Sequence, residues 1–336
     1  MITVTLFTSP SHLEDERKIR GYLEKNQERV PHQLVLIDIT TDSTLEDAYK
    51  ERVPLLHVGP YHITWPFSQQ ELLVSLQAAQ DRQTRMEQSG DPEHAARRKR
   101  GSIYGKSDRF TYWFSSHYML VFNLLVALYV GLAFAAPMLM KIGARGPAKI
   151  LYAVYSPLCH QLAYRSWFLF GEQAYYPREL AGISGKLTYN QATGNEDLDV
   201  LQAKRFTGNE IMGYKVAICE RDIAIYTGIL LFGIIFSFAK NRIKSIPWYI
   251  WMLFGIVPIG LDGASQLPSL LSFLPKWLPL RESTPLLRAI TGALFGITTA
   301  WYGYPLIDES VQDSRRMLLQ KRAIIEQISK TGHEEN

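Results

Sequence analysis

The chain has 336 residues, of which 47% are hydrophobic and 20% are charged, and its formal net charge is +4. With only two cysteines, this composition excludes collagen-like, low-complexity and disulfide-dense secreted proteins. The modest positive charge gives no reason to expect a nucleic-acid partner. The mean hydropathy of -0.07 hides an uneven distribution, because a charged N-terminal part is followed by long apolar runs after residue 117.

Residues 1–80 alternate strand and helix patterns, which predicts an α/β domain. The first helix contains Ser11 as a candidate N-cap, with Glu14 three residues later. Gly59-Pro60 is the predicted turn of a hairpin. Strands are predicted at residues 2–7, 33–39, 55–58 and 61–65, and helices at residues 9–20, 45–51 and 69–76.

The order of these elements resembles the thioredoxin and glutaredoxin fold. Pro54 stands where that fold keeps a cis-proline before its third strand. The stretch from Phe7 to Glu14 resembles a glutaredoxin redox turn in which Ser11 and Glu14 replace the two cysteines. Because serine cannot form the thiolate that disulfide exchange requires, the resemblance implies the fold without dithiol activity. We expect a binding or stability module that contacts a membrane or cytoplasmic protein partner.

Four apolar windows after residue 117 predict an α-helical bundle of transmembrane helices in the lipid bilayer. A hydrocarbon core of about 30 Å needs roughly 20 residues, so the two middle windows must use flanking residues. Residues 150–170 are apolar but interrupted by Pro157, His160 and Arg165, which predicts an interfacial or re-entrant pair of short helices. The four windows are Tyr118–Met140, Ile223–Ala239, Ile246–Leu261 and Pro285–Ile307.

Basic residues near the helix ends predict the orientation in the cell membrane. Clusters lie before the first window, between the second and third, and after the fourth, at 97–109, 240–244 and 315–322. With four spans all three clusters lie on one side, so we expect a multi-pass protein with both termini in the cytoplasm. The basic run at 97–100 predicts an anchor to anionic lipid.

The resulting organisation has four parts. They are a cytoplasmic thioredoxin-like domain at 1–80, a charged juxtamembrane connector at 81–117, a four-span membrane domain with an outer re-entrant segment and loop at 118–307, and a cytoplasmic C-terminal helix and tail at 308–336. Apolar residues between Leu318 and Ile328 predict that the C-terminal helix packs on the N-terminal domain.

The predicted topology places the unusual polar residues of the membrane domain near its outer face. Ionisable residues near a bilayer are costly, which makes them candidates for function. On a helix, Cys219, Asp222 and Tyr226 share one face. Gly292 and Gly296 form a small-xxx-small pair that permits close helix packing. Metal or ligand candidates are Cys159, His160, Cys219, Asp222 and Asp262, supported by Gln161, Arg165, Arg221, Tyr226, Gln266 and Arg288.

Three interpretations of the two cysteines are open. A disulfide between Cys159 and Cys219 suits an oxidising outer face. Alternatively, two thiolates with His160 and Asp222 suit Zn²⁺ or another transition metal such as copper or iron. The third interpretation is a pair of buried free thiols.

Asp262 and Arg288 also have two interpretations. They are either a structural ion pair at the rim of the bundle or part of an anion site. In the second case Arg288 holds a phosphate group and Asp262 acts as base or ligand.

The motifs follow one another in an order that is similar to one family. They are Cys-His-Gln at 159–161, Arg-Ser-Trp at 165–167, Cys-Glu-Arg-Asp at 219–222, Asp-Gly-x-x-Gln at 262–266 and Arg-x-x-Thr-Gly at 288–292. They resemble those of the predicted prokaryotic membrane protein family called domain of unknown function twenty-eighty-five. The resemblance implies a polytopic membrane protein and no particular activity, and family members often carry a cysteine where this chain has Asp222.

These observations lead to one main hypothesis and two alternatives. The main hypothesis is an integral membrane protein whose outer-face Cys/His/Asp/Arg site binds a metal or ligand and could be catalytic. One alternative is a transporter or channel subunit, which would have to form oligomers because four spans are few for a pore. The other is a membrane scaffold whose thioredoxin-like domain binds a partner.

Overall fold

The chain forms two compact units, residues 1–117 with 309–336, and residues 118–308. The computed structural model describes residues 2–101, 103–194, 199–239, 242–267 and 281–334, without the side chains at 94, 95, 97–99 and 330–334. Lys240, which belongs to the predicted cytoplasmic link, and the acidic stretch at 195–198 lie outside these residues.

The first unit contains a four-stranded sheet in the order β2-β1-β3-β4. Strand β1 is parallel to β2 and antiparallel to β3, which in turn pairs antiparallel with β4. This confirms the predicted α/β domain. The strands are β1 (Ile2–Thr8), β2 (His32–Asp38), β3 (Leu55–Val58) and β4 (Tyr61–Thr64), and the helices are α1 (Leu13–Asn26), α2 (Ser43–Tyr49), α3 (Gln69–Gln88) and α4 (Pro92–Gly101).

Both faces of this sheet are covered by apolar side chains. On one face Val4 and Leu6 of β1 pack with Ile19 of α1 and Leu72 of α3. The helix α3 begins with a capping box, in which Ser68 Oγ accepts the Glu71 N–H at 3.1 Å and the Glu71 carboxylate accepts the Ser68 N–H at 2.7 Å.

The second face of the sheet is covered by the C-terminal part of the chain. Leu319, Ala323 and Ile324 pack against a cluster that includes Phe7 and Ile37. In addition, the side-chain amide of Gln327 pairs with the edge strand β2. Its oxygen accepts the Leu36 N–H at 2.9 Å and its nitrogen donates to the Leu36 carbonyl at 2.7 Å. The predicted packing of this helix on the N-terminal domain is therefore present, and it covers an otherwise open strand edge.

The second unit is mostly helical and adds one small sheet in the order β5-β7-β6. Helix α10 contains a π-helical stretch at Met252–Ile256. The helices are α5 (Lys106–Lys141), α6 (Arg145–Tyr155), α7 (Tyr189–Thr193), α8 (Val200–Arg205), α9 (Glu220–Ala239), α10 (Trp248–Ala264) and α11 (Pro285–Glu334), and the strands are β5 (Phe168–Leu169), β6 (Gly208–Asn209) and β7 (Gly213–Lys215).

Two helices of the described part of the chain, α5 and α9, are long and apolar enough to cross a membrane. The most apolar stretch of α5 has a mean hydropathy of 2.3 and is only 17% buried, and that of α9 has a mean hydropathy of 1.9 and is 28% buried. Helix α10 is apolar but shorter. The fourth window and the C-terminal helix form one continuous helix, α11.

Two local predictions differ from the structure. Residues 150–170 do not form a pair of short helices, because α6 ends at Tyr155 and only a single 3₁₀ turn follows, at Ala163–Arg165. Ser11 does not cap α1. A 3₁₀ turn at Pro10–His12 precedes that helix, so His12 takes the N-cap position and Ser11 lies inside the turn.

Candidate functional site

Three side chains that could hold a metal ion meet where α9 begins. One ligand atom from each of Cys159, Cys219 and Asp222 lies within 4.8 Å of the other two. Cys159 is buried, Cys219 is half-buried, and both are free thiols. This limit accommodates a tetrahedral zinc site, where ligand atoms at about 2.0–2.3 Å from the metal lie about 3.3–3.8 Å apart.

Backbone amides point at both sulfur atoms. The Cys219 N–H donates to Cys159 Sγ at 3.2 Å, and the Asp222 N–H donates to Cys219 Sγ at 3.5 Å. Cys219 precedes α9 directly, so its sulfur accepts an amide hydrogen that an N-cap oxygen normally accepts. The adjacent Cys159 thiol and burial raise the pKa of the Cys219 thiol well above its usual value. Without a cation the Cys219 side chain is therefore held as a neutral thiol.

Gln161 and Lys215 fix the segment that carries Cys159. Gln161 has a left-handed backbone (φ 51°), and its side chain donates to the carbonyls of Tyr152 at 3.0 Å and Ala217 at 2.8 Å. The side-chain nitrogen of Lys215 donates to the carbonyls of Gln161 at 2.6 Å and Lys204 at 2.7 Å. These contacts tie the Cys-His-Gln segment to the strand that leads into α9.

Lys215 gives the protein a specific pH dependence. Burial lowers its pKa from 10.5 to about 7, so between pH 7 and 10.5 the unfolded chain binds a proton that the folded chain does not. In this window we expect the free energy of unfolding to rise with pH by up to about 1.4 kcal/mol per unit, with no further contribution below pH 7. The Lys215→Met variant should lose this rise. Thermal unfolding of the purified full chain in detergent from pH 6 to 10 measures it, and equal slopes in the two proteins would contradict the prediction.

The rings of three tyrosines pack against one another beside the thiols. The ring of Tyr129 lies 4.4 Å from that of Tyr226 and 5.1 Å from that of Tyr155, measured between centroids. The Tyr129 phenol is close enough to Asp222 and Cys159 to interact with both electrostatically. The predicted face of Cys219, Asp222 and Tyr226 is therefore directed at one site.

A buried carboxylate, Glu282, lies at the centre of a second cluster. Arg165 binds it with two nitrogen atoms, at 2.7 and 3.0 Å, and Arg178 binds it at 3.1 Å. Arg288 also donates to Glu282, and its other terminal nitrogen lies 3.0 Å from the Glu220 carboxylate. Glu220, Glu282 and Arg288 are each no more than 3% exposed.

Asp262 is the centre of a third polar cluster. It pairs with Arg221 and lies 3.4 Å from Arg281. Ser283 donates to the Asp262 carboxylate at 3.0 Å, and Gln266 donates to the Asp262 carbonyl at 2.7 Å. Of the two interpretations of Asp262 and Arg288, the structure does not show the ion pair, since Asp262 pairs with Arg221 and Arg288 pairs with Glu220 and Glu282.

The structure does not bring all candidates together. His160 is exposed and lies outside the group that Cys159, Cys219 and Asp222 form. In the first unit Ser11 hydrogen bonds to Ser9 at 2.8 Å and to His12 at 3.0 Å, and Glu14 is exposed. The peptide bond before Pro54, the candidate cis-proline, is cis.

Sequence reasoning missed several buried polar residues. Glu282 is the only acidic residue between Asp262 and Asp308, and Lys215 is the only charged residue between Ile211 and Cys219. An isolated charge inside an apolar run is a signal that could have identified Lys215, whereas Glu282 stands in the polar stretch Arg281-Glu-Ser-Thr284. Arg178 carries no such signal, because it lies in a loop with other charged residues.

Comparisons with known proteins point to a membrane protein family. Residues 209–302 match the family model described as "Predicted membrane protein (DUF2085)". The chain is also 28% identical over 203 residues to the uncharacterized protein MJ1492 of Methanocaldococcus jannaschii, which covers 58% of this chain and 95% of that protein. No solved structure matches the chain. The matched segment contains Cys219, Asp222, Asp262 and Arg288, whereas Cys159, Arg165 and Arg178 lie before it.

Proposed function

We propose that this chain is a multi-pass membrane protein that binds a transition metal ion, Zn²⁺ in the first place, through Cys159, Cys219 and Asp222. The observation that supports the metal site best is the close approach of the three ligand atoms, within 4.8 Å of one another. Three protein ligands leave one tetrahedral position for water or a substrate. In that arrangement a zinc ion acts as a Lewis acid or lowers the pKa of its water.

The membrane assignment is supported by exposed apolar side chains. A soluble protein buries its apolar helices, whereas Leu120, Leu124 and Leu128 of α5 and Phe238 of α9 are between 49% and 85% exposed. Lipid is the solvent in which such surfaces are stable. With α10 and the first half of α11 as further spans, the bundle has four spans, both termini are cytoplasmic, and the metal site lies on the outer side.

The first unit fits a thioredoxin-like domain that has lost its chemistry. A strand order of β2-β1-β3-β4 with a parallel β1–β2 pair, and a cis-proline before β3, support the fold. Ser11 and Glu14 stand at the positions of the two cysteines, so this domain would lack dithiol chemistry, and binding of a protein partner is the role that we propose for it.

Metal analysis of the purified full chain tests the metal site directly. We expect about one zinc ion per chain in protein prepared without chelators, and retention of less than a tenth of it in Cys219→Ser and Asp222→Asn. His160→Ala is the matched control, because this exposed histidine follows Cys159 directly and should keep its metal.

Alkylation under non-reducing, denaturing conditions separates the metal site from a disulfide. Two labelled cysteines, together with zinc, support the proposal. A chain that contains no transition metal, or whose intact mass shows no added label, contradicts it.

A further inference from the structure

Arg165, Arg178 and Arg288 form a clamp around the Glu282 carboxylate. The clamp has more hydrogen-bond donors than this carboxylate has lone pairs to accept them. Its two oxygens accept four hydrogen bonds, from Arg165, Arg178 and Arg288, which uses their lone pairs fully. Arg288 Nε is also buried, and it has no hydrogen-bond partner in the part of the chain that the structure describes.

Tyr164 adds a second donor without a partner. The side chain is 1% exposed, and its hydroxyl group hydrogen bonds to none of the described residues. Its ring centroid lies 5.6 Å from the guanidinium carbon of Arg165 and 5.5 Å from that of Arg178. The phenol also interacts electrostatically with Glu282 and Arg288. A buried hydroxyl without a partner is costly, and this one lies at the clamp.

The charges of the clamp do not balance either. Three guanidinium groups face two carboxylates, those of Glu220 and Glu282. A dianion in the place of Glu282 would make the cluster neutral. A phosphate group also has three oxygen acceptors, one more than a carboxylate, so it can accept from donors that Glu282 leaves unused.

The geometry points to a phosphate-binding site formed by Arg165, Arg178, Arg288 and Tyr164, in which the Glu282 carboxylate is a resident, displaceable occupant. Glu282 lies at 281–284, a segment without helix or strand, so its side chain can leave the clamp while the helices stay intact. Arg165 and Arg178 are 17% and 13% exposed, which leaves an approach for the anion. The site uses neither thiol and does not depend on the metal.

Binding of inorganic phosphate to the full chain in detergent, measured by calorimetry at constant ionic strength with chloride as reference, tests the site. Glu282→Gln removes the competing charge and keeps the side-chain size, so we expect phosphate to bind at least about tenfold more tightly than to the unmodified protein. Glu179→Gln is the matched control. It removes an equal charge from an exposed position in the same unit and should leave the affinity unchanged.

Tyr164→Phe tests the clamp without changing any charge. Loss of the hydroxyl should weaken phosphate binding about tenfold if it donates to the anion, and should leave binding unchanged if it is only an unsatisfied structural group. An unchanged affinity in both Glu282→Gln and Tyr164→Phe, or no phosphate binding to any of these proteins, overturns the proposal. If Glu282→Gln fails to fold, the comparison of Tyr164→Phe with the unmodified protein decides alone.

The source of the phosphate group follows from a second titration. Dihexanoyl phosphatidic acid that binds more tightly than inorganic phosphate indicates a lipid headgroup, because the same clamp then gains acyl contacts. Equal or weaker binding indicates a free phosphate. Both outcomes require the clamp, and in both we expect Tyr164→Phe to weaken binding about tenfold.

Discussion

Arg288→Met is expected to cost the folded protein about 3–5 kcal/mol, because it leaves two buried carboxylates without their shared cation. Arg288 is 2% exposed and bridges Glu220 of α9 and Glu282 of the segment before α11. Methionine fills a similar volume, so the loss comes from the buried charge of Glu220, which is left without a cation, and not from a cavity. Glu282 keeps Arg165 and Arg178.

The midpoint of thermal unfolding of the full chain in detergent measures this effect, and we expect a decrease of about 10 °C. Arg322→Met is the control. Arg322 pairs with Glu326 at the exposed surface of the same helix, where such pairs contribute about 0–1 kcal/mol. Equal melting temperatures for the two variants would contradict the importance of the buried network.

Four consecutive residues at the start of α9 explain why the polar clusters lie together. Cys219 and Asp222 belong to the thiol site, Glu220 pairs with Arg288, and Arg221 pairs with Asp262. Within one helical turn, side chains point in different directions, so a single turn contributes to all three clusters. The Cys-Glu-Arg-Asp motif is therefore the point where the three clusters join.

Much of the fold could be predicted from the sequence because the signals are local. The strands of the first unit follow β-branched runs, and α5 and α9 follow long apolar runs. Helix boundaries were less predictable. The apolar window was predicted to begin at Tyr118, but the helix that contains it begins at Lys106. The polar residues before Tyr118 form helix as well, so the start of the apolar run does not mark the start of the helix.

The site could be predicted only in part, because helical spacing gives a face but not a partner across the fold. The grouping of Cys219 with Asp222 and Tyr226 followed from spacing. The partners of Arg288 did not, since Glu220 and Glu282 come from different parts of the chain and only the packing of α9 and α11 brings them together. His160 follows Cys159 directly in the sequence, yet it is exposed and lies outside the group of ligand atoms, so a neighbour in sequence is not always a neighbour in the site.

Gly296→Ala is expected to separate α11 from α9 and to destabilise the bundle by about 3 kcal/mol. An added Cβ at Gly296 would overlap the carbonyl oxygen of Ile225, and one at Gly292 would lie 2.6 Å from the carbonyl oxygen of Arg221. The neighbouring atoms belong to the backbone of α9, which cannot move aside as a flexible side chain can. Close backbone contact through small residues is how helices associate in lipid, where the hydrophobic effect contributes little.

Gly303→Ala supplies the matched control for this prediction on the same helix. No atom lies within 4 Å of a Cβ at that position, so the substitution should be neutral or stabilise the helix by up to about 1 kcal/mol. The phosphate clamp gives an independent measure, because Arg288 lies one turn before Gly292 on α11 and moves with that helix. We therefore expect Gly296→Ala to lower both the melting temperature and the affinity for phosphate, and Gly303→Ala to lower neither. If Gly296→Ala melts at the temperature of the unmodified protein, the two helices do not pack as closely as the structure shows.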